Sequence, residues 1–372
     1  MKKVLAVFGT RPEAIKMAPL IIKLKSTNIL NVVVCVTAQH RQLLDKVLDI
    51  FNILPDYDLD LMSSSQTLTD INIRVLKGMK EVLEEEKPDI ILVHGDTTTT
   101  FSTALASFYA KFPVGHVEAG LRSGNICSPF PEEMNRLLTS CIATLHFAPT
   151  EGNRENLIKS GVKAENIFVT GNTVIDALKM VVNDNYKFNM SLLNQLDYKN
   201  RRIILLTAHR RENWGSIMKE IFLAVRSILE QNPDTELIFP VHLNPIISNL
   251  AQDVLGLSER VHLIPPLDYT AFANLMARAY LILSDSGGIQ EEAPALGRPV
   301  LVLRTETERP EAVEAGTVRI VGVTKDSIIK NTQLLLDDEN EHNRMAKAIN
   351  PYGDGHASER IIDALNGWFK SG

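Results

Sequence analysis

Cysteine is scarce in this sequence: three residues, Cys35, Cys127 and Cys141, among 372. They lie far apart and without metal-ligand spacing, which excludes a disulfide-stapled scaffold and fits a reducing compartment. No apolar run approaches the roughly 20 residues that cross a bilayer. Excess charge of one sign is missing too. With 39 basic against 45 acidic residues the net charge is −6 and no long run of either sign occurs, so neither nucleic acid nor membrane is an expected partner. The Gly-x-x-x-x-Gly-Lys-Ser/Thr phosphate loop and the Gly-x-Gly-x-x-Gly fingerprint are both absent, which argues against a kinase or a simple dehydrogenase. None of the nine histidines stands in a His-Glu-x-x-His or comparable set, so no metal is expected. The amino terminus starts apolar, yet Gly9, Arg11 and Glu13 break the run. Residues 4–8 are therefore expected as a first strand of a cytoplasmic enzyme rather than as a leader.

What is present is a long, alternating pattern. At 45% hydrophobic content the chain can build two cores of ordinary size. Short apolar strands are expected at 4–8, 32–37, 90–93, 114–117 and 145–148, with helices between them, notably at 68–86, 98–109 and 132–141. A second series follows at 203–207, 236–240, 261–264, 280–283 and 299–303. Such alternation predicts α/β folding with parallel, doubly wound sheets, and two Rossmann-like domains facing each other across a cleft. Residues 183–202 are polar without a strand signal and mark the crossover. The domains are expected at 1–170 and 171–356, with the last helix, 357–372, free to join either half.

One stretch stands out, Leu281-Ile282-Leu283-Ser284-Asp285-Ser286-Gly287-Gly288-Ile289-Gln290-Glu291-Glu292. It reads as a buried strand, a turn without side-chain bulk and an immediate helix. That arrangement aims unpaired N–H groups at a phosphate, with Glu292 in reach of ribose hydroxyls; a glycine-rich helix cap is the plainer alternative. Ionisable groups also cluster at other strand ends: Asp96, Glu118, Glu132 with Arg136, and His209 with Arg210 and Arg211. Glu132 and Arg136 are four apart and share a helix face. In open parallel sheets ligands bind beyond the carboxyl ends of the strands, where these groups fall. Carboxylates there are candidates for proton transfer, and each taken alone is also readable as a cap or an ion pair.

Taken together, Gly9-Thr10-Arg11-Pro12-Glu13-Ala14-Ile15-Lys16, Thr37-Ala38-Gln39-His40-Arg41, His94-Gly95-Asp96-Thr97, Gly115-His116-Val117-Glu118-Ala119-Gly120-Leu121-Arg122, Pro131-Glu132-Glu133, His209-Arg210-Arg211-Glu212-Asn213, the stretch above and Glu308-Arg309-Pro310-Glu311-Ala312 resemble the non-hydrolysing UDP-N-acetylglucosamine 2-epimerases. The resemblance implies the glycosyltransferase-B architecture, with the last helix packing back on the first domain, and a homodimer. It implies reversible conversion of UDP-N-acetylglucosamine to UDP-N-acetylmannosamine through elimination of UDP to a 2-acetamidoglucal, with no cofactor and no metal. By motif position Asp96, Glu118 and Glu132 would supply acid and base groups. Arg136 and His209 would steady the leaving diphosphate, Arg11, Ser286, Gly287 and Gly288 would hold phosphates, and Glu292 the ribose. An activator pocket for a second UDP-N-acetylglucosamine would use Gln39, His40, Gln42, Arg210 and His242. Ser65 departs from the family pattern, in which an arginine precedes the Gln-Thr-Leu run. A UDP-sugar glycosyltransferase of the same fold, and a non-catalytic sugar-nucleotide sensor, are the rival readings.

Overall fold

The structure is a computed structural model and describes residues 1–372 except Asn28, Gln39, His40, Met62, Ser64, Ser65, Leu243 and Gly372; the side chains of Arg41 and Gln42 also lie outside the described residues. The described residues form two parallel sheets. In the first, β1 (Lys2–Phe8), β2 (Leu30–Val36), β3 (Tyr57–Asp58), β4 (Ile90–His94), β5 (Val114–Val117), β6 (Leu145–Ala148) and β7 (Ile167–Val169) take the order β3-β2-β1-β4-β5-β6-β7. In the second, β8 (Arg202–Thr207), β9 (Thr235–Pro240), β10 (Val261–Ile264), β11 (Leu281–Ser284), β12 (Val300–Val302) and β13 (Val318–Ile320) take the order β10-β9-β8-β11-β12-β13. The strand order reverses between β1 and β4 in one sheet and between β8 and β11 in the other. Chains leave such neighbours in opposite directions, so a crevice opens above the reversal.

The strands fold this way because both faces are covered by helices. Leu5, Val7, Val33, Cys35, Ile91 and Val93 pack on Ile71, Val75 and Met79 of helix Leu68–Glu86. In the second sheet Ile204, Leu206, Leu237, Phe239 and Leu283 pack on Ile221, Phe222 and Val225 of helix Ser216–Gln231. The Phe222 and Phe239 rings meet edge to face with centroids 5.5 Å apart, and burying each contributes about 1.5–3 kcal/mol. Three strands beyond the expected ones, β3, β7 and β13, are two or three residues long, too short to leave a period in the sequence.

The chain divides into two compact units, residues 1–180 with 352–372, and residues 181–351. Helix Ala357–Ser371 is fastened within the first. Asp176 accepts the N–H groups of Ala357 (3.1 Å) and Ser358 (2.8 Å), satisfying its first turn, and Lys23 pairs with Glu359 at 2.6 Å. The segment that leads out of the first unit and the point where the chain returns lie side by side. Asn172 N–H donates to Tyr352 O at 2.7 Å, and a Cβ on Gly171 would sit 3.3 Å from the Gly353 Cα. In the second unit the polar segment after residue 182 is held by Arg278, whose guanidinium lies 4.8 Å from the Phe188 ring and 5.5 Å from Tyr198.

Candidate active site

The reversal in the first sheet collects polar groups from four loops and a helix. β1 is followed by Gly9, whose Cβ position would lie 2.0 Å from Thr37 Oγ1, so no side chain fits there. Helix Arg11–Ser26 then starts, and its third residue, the buried Glu13, ties two loops together. Glu13 Oε2 accepts Gly9 N–H (3.0 Å) and Thr10 N–H (2.7 Å), closing a capping box. Its Oε1 accepts from Thr97 Oγ1 at 2.6 Å and lies 3.0 Å from Thr100 Oγ1, both in the loop and helix that follow β4. Thr97 in turn caps helix Thr98–Tyr109 through Thr100 N–H. Arg11 and Asp96 are thereby held at neighbouring strand ends.

Asp96 is met by Arg136 from helix Glu132–Ile142. Arg136 donates to Asp96 Oδ2 from Nε (2.9 Å) and Nη2 (2.8 Å), and from Nη1 to Glu133 Oε2 (2.9 Å). Glu133, buried, also accepts the N–H groups of Ser123 (3.0 Å) and Gly124 (3.2 Å). Burial works to raise its pKa, and these donors outweigh it, leaving the carboxyl below the usual range. Glu118 follows β5 with φ of 61°, a left-handed conformation that costs a non-glycine residue about 1–3 kcal/mol and persists only where surroundings enforce it. Its carboxylate forms an ion pair with Lys16, and Oε2 lies 3.1 Å from His94 Nε2. Burial again pushes up, Lys16 and His94 push harder down, and Glu118 sits well below the ordinary carboxylate range. Glu132 opens its helix half-buried, its carboxylate with no hydrogen bond or ion pair among the described residues.

Behind this row the histidines of β5 and β6 are interior. His116 Nε2 lies 2.7 Å from Gly95 O, and burial, the largest cause, lowers its pKa to about 3; burial lowers His146 to about 4. Both stay neutral, and a neutral His116 donates to the carbonyl just before Asp96.

The reversal in the second sheet is built from the ends of β8 and β11. After β11 come Asp285, Ser286, Gly287 and Gly288, then helix Ile289–Ala295. Ser286 N–H bonds Ser284 Oγ (3.0 Å), while the N–H groups of Gly287 and Gly288 have no acceptor among the described residues. The fully buried Gln290 braces the turn, donating to Ser286 O (3.2 Å) and accepting from Thr307 Oγ1 (2.6 Å). Glu291 pairs with Arg309, and the half-buried Glu292 donates its N–H to Gly288 O (3.0 Å). Over Gly287 lie Arg210 and Glu308, 3.8 Å from each other. His209 follows β8 with its side chain 48% exposed, next to the fully buried Asp285. His242 is exposed, its Nδ1 accepting Asn244 N–H at 3.1 Å.

Of the residues singled out from sequence, Asp96 and Arg136 are in direct contact, Arg11, Asp96 and Glu118 share the edge of one sheet, and His209, Arg210 and Ser286–Gly288 share the edge of the other. Gln39 and His40 lie outside the described residues, as does the Gln42 side chain. Glu13, Lys16, His94, Glu133, Asp285 and Gln290 carry much of the geometry without having been singled out. For Lys16 and Glu133 the only sequence signal was their place inside long motifs. Among the described residues no group of three or more His, Cys, Asp or Glu is placed to hold a metal ion, and no helix is long and apolar enough to cross a membrane.

A family model described as UDP-N-acetylglucosamine 2-epimerase matches residues 22–366. The UDP-N-acetylglucosamine 2-epimerase of Bacillus subtilis (strain 168) is 54% identical over 363 residues, 98% of this chain and 94% of that one. That of Escherichia coli (strain K12) is 52% identical over 368 residues, 98% of each chain. The crystal structure of UDP-GlcNAc 2-epimerase from Neisseria meningitidis bound to UDP-GlcNAc superposes with a TM-score of 0.87 at 49% identity, covering 98% of this chain and 100% of that one. Two parallel sheets with polar groups at both reversals, and similarity over almost the whole length, lead to one conclusion: the chain belongs to the UDP-N-acetylglucosamine 2-epimerase family of isomerases.

Proposed function

We propose that the protein inverts C2 of UDP-N-acetylglucosamine reversibly, giving UDP-N-acetylmannosamine by elimination and re-addition of UDP. The observation that carries the reading is the presence, in one unit, of three carboxylates in three different settings: Asp96 on Arg136, Glu118 on Lys16 and His94, and Glu132 open. A C2 proton beside an acetamido group is only weakly acidic. Breaking C2–H together with C1–O releases UDP and leaves a 2-acetamidoglucal; reversal with the proton delivered to the other face gives the epimer. Such a cycle is redox neutral and needs an acid, a base and a seat for departing diphosphate.

Glu118, locked as an anion by two cationic or polarising neighbours, is suited to holding Lys16 and stabilising positive character at C1. Asp96 and Glu132 are then the pair that exchange protons, with Arg136 orienting the Asp96 carboxyl and steadying charge as diphosphate departs. His209 shares that second task; Arg11, Ser286, Gly287 and Gly288 hold phosphates, and Glu292 the ribose. Arg210 and His242 are assigned, with Gln39, His40 and Gln42, to a second UDP-N-acetylglucosamine acting as activator. The enzyme is read as cytoplasmic, serving mannosamine-containing polysaccharide. Incubation with UDP-N-acetylglucosamine in D₂O, followed by NMR, tests the reading: a second isomer forms and both carry deuterium at C2. Folded protein that shows neither exchange nor inversion rejects it, and transfer of the sugar to an acceptor, or binding alone, would identify the rival readings.

A homodimer is part of the same proposal. Helix Thr98–Tyr109 contains no charged residue and leaves Phe108 and Tyr109 more than half exposed, and the adjacent helix exposes Met134 and Leu138 in part. Large apolar side chains exposed on neighbouring helices are covered in the working assembly. Sedimentation velocity gives a dimer, and Phe108→Glu gives a monomer; a wild-type monomer at micromolar concentration would overturn this.

A further inference from the structure

Asp285 has no place in the chemistry above, yet it is the most enclosed charged group at the second reversal, 0% exposed. Its N–H bonds Thr207 O across the reversal (3.2 Å). Its Oδ2 accepts the N–H groups of His209 and Arg210, each at 2.9 Å, and Asn213 Nδ2 at 3.3 Å. Oδ1 faces His209 Nδ1 at 3.2 Å, off the best line for a hydrogen bond and with no other partner among the described residues. The His209 carbonyl is tethered as well, by Trp214 Nε1 at 3.3 Å. The backbone of His209 is therefore fixed at both ends, and its ring meets a carboxylate on one side and open space on the other.

An ionised carboxylate only accepts. Nδ1 must then carry hydrogen, which leaves Nε2 of the neutral ring as the exposed acceptor, and makes it a donor once the ring is protonated. We propose that Asp285 is the positioning residue of His209: it fixes the Nδ1–H tautomer, presents Nε2 outward, and ties that ring to the Ser286–Gly288 turn that continues from the same residue. The inference rests on the reading of His209 as a participant in UDP departure and return. It gives the two halves of the proposed diphosphate seat one shared anchor, so a shift of the turn moves the ring with it.

The test is Asp285→Asn. The amide oxygen can keep the two backbone hydrogen bonds, while the amide nitrogen becomes a donor facing Nδ1, forcing the ring proton to Nε2. Protein labelled with ¹⁵N-histidine, with His209→Gln to identify the signal, is expected to show neutral His209 protonated at Nδ1 in the wild type and at Nε2 in the variant. Turnover is expected to fall about 10²–10⁴-fold, as for loss of a correctly oriented acid–base histidine, with KM changed by no more than about threefold. In the His209→Gln background the same substitution should cost less than about twofold, because the effect passes through the ring. Wild-type His209 protonated at Nε2, or a full loss retained in the His209→Gln background, overturns the proposal, and the wild-type spectrum decides even if the variant fails to fold. An inactive wild type would reject the epimerase reading while leaving the tautomer result to judge Asp285 by itself.

Discussion

Replacing Glu13 by alanine removes one acceptor group from four donors at once, and the structure says how much each loss should cost. Gly9 N–H and Thr10 N–H are buried backbone donors with no second acceptor in reach, so each orphaned group costs about 1–3 kcal/mol. The hydroxyls are cheaper. Thr100 Oγ1 already lies 2.5 Å from His94 O, and Thr97 Oγ1 lies 3.1 Å from Thr100 Oγ1, so both can turn to other oxygens and lose about 0.5–1.5 kcal/mol between them. Glu13→Ala should thus destabilise the first unit by about 2.5–7.5 kcal/mol, against the 5–15 kcal/mol typical of a whole domain. Glu13→Gln should be mild, about 1 kcal/mol, because its oxygen can face the two N–H groups while its amide donates to the hydroxyl oxygens. The two tryptophans make the assay specific: Trp368 belongs to the first unit and Trp214 to the second. In a Trp214→Phe background, urea unfolding followed by fluorescence reports the first unit alone. Equal losses for Ala and Gln, or a loss under about 1 kcal/mol for Ala, would refute the accounting and with it the claim that Glu13 staples the loops of Arg11 and Asp96.

Three further outcomes are expected. The native state holds His116 and His146 neutral well below the usual 6.5, so between pH 6.5 and about 4 the unfolded chain binds more protons; stability is complete above 6.5 and falls with pH by up to about 1.4 kcal/mol per unit for each histidine. His146→Gln should flatten that slope in urea titrations at pH 7, 6 and 5, and an unchanged slope counts against burial as the cause. Glu118→Gln should abolish deuterium exchange at C2 while calorimetry still shows UDP binding; retained exchange removes Glu118 from the chemistry. Glu292→Ala should weaken UDP by about 1.5–3 kcal/mol, the value of a hydrogen bond to a charged group, and unchanged affinity would end its ribose role.

The strands that carry the site were legible because they are buried on both faces: Ile90-Ile91-Leu92-Val93 and Leu281-Ile282-Leu283 read as apolar runs bounded by polar punctuation. The groups at their ends were visible for the same reason, since ionisable side chains stand out against such runs. What supports them was not visible. Lys16 and Glu118 are 102 residues apart, and Glu13 and Thr97 are 84 apart; no period or spacing links positions that only the sheet order brings together. The positive φ of Glu118 was equally silent, because glutamate carries no local preference for that conformation. Asp285 stands between the β11 strand and the Ser-Gly-Gly turn, where a buried carboxylate looks in sequence like one more turn residue.

The contact of Gly171 and Asn172, just before the chain leaves the first unit, with Tyr352 and Gly353, where it returns, has a consequence during synthesis. The ribosome makes residues 1–180, then the whole of the second unit, and only afterwards the 352–372 segment whose first turn Asp176 is waiting to cap. At 5–20 residues per second the interval is roughly 10–30 s. For that time the helix Arg11–Ser26 lacks Glu359 as the partner of Lys23, and the apolar side of the missing helix is unfilled. The unit that emerges first is thus the one completed last, and it is in that interval that a nascent chain would be most exposed to chaperones or to mispairing with its neighbours on a polysome.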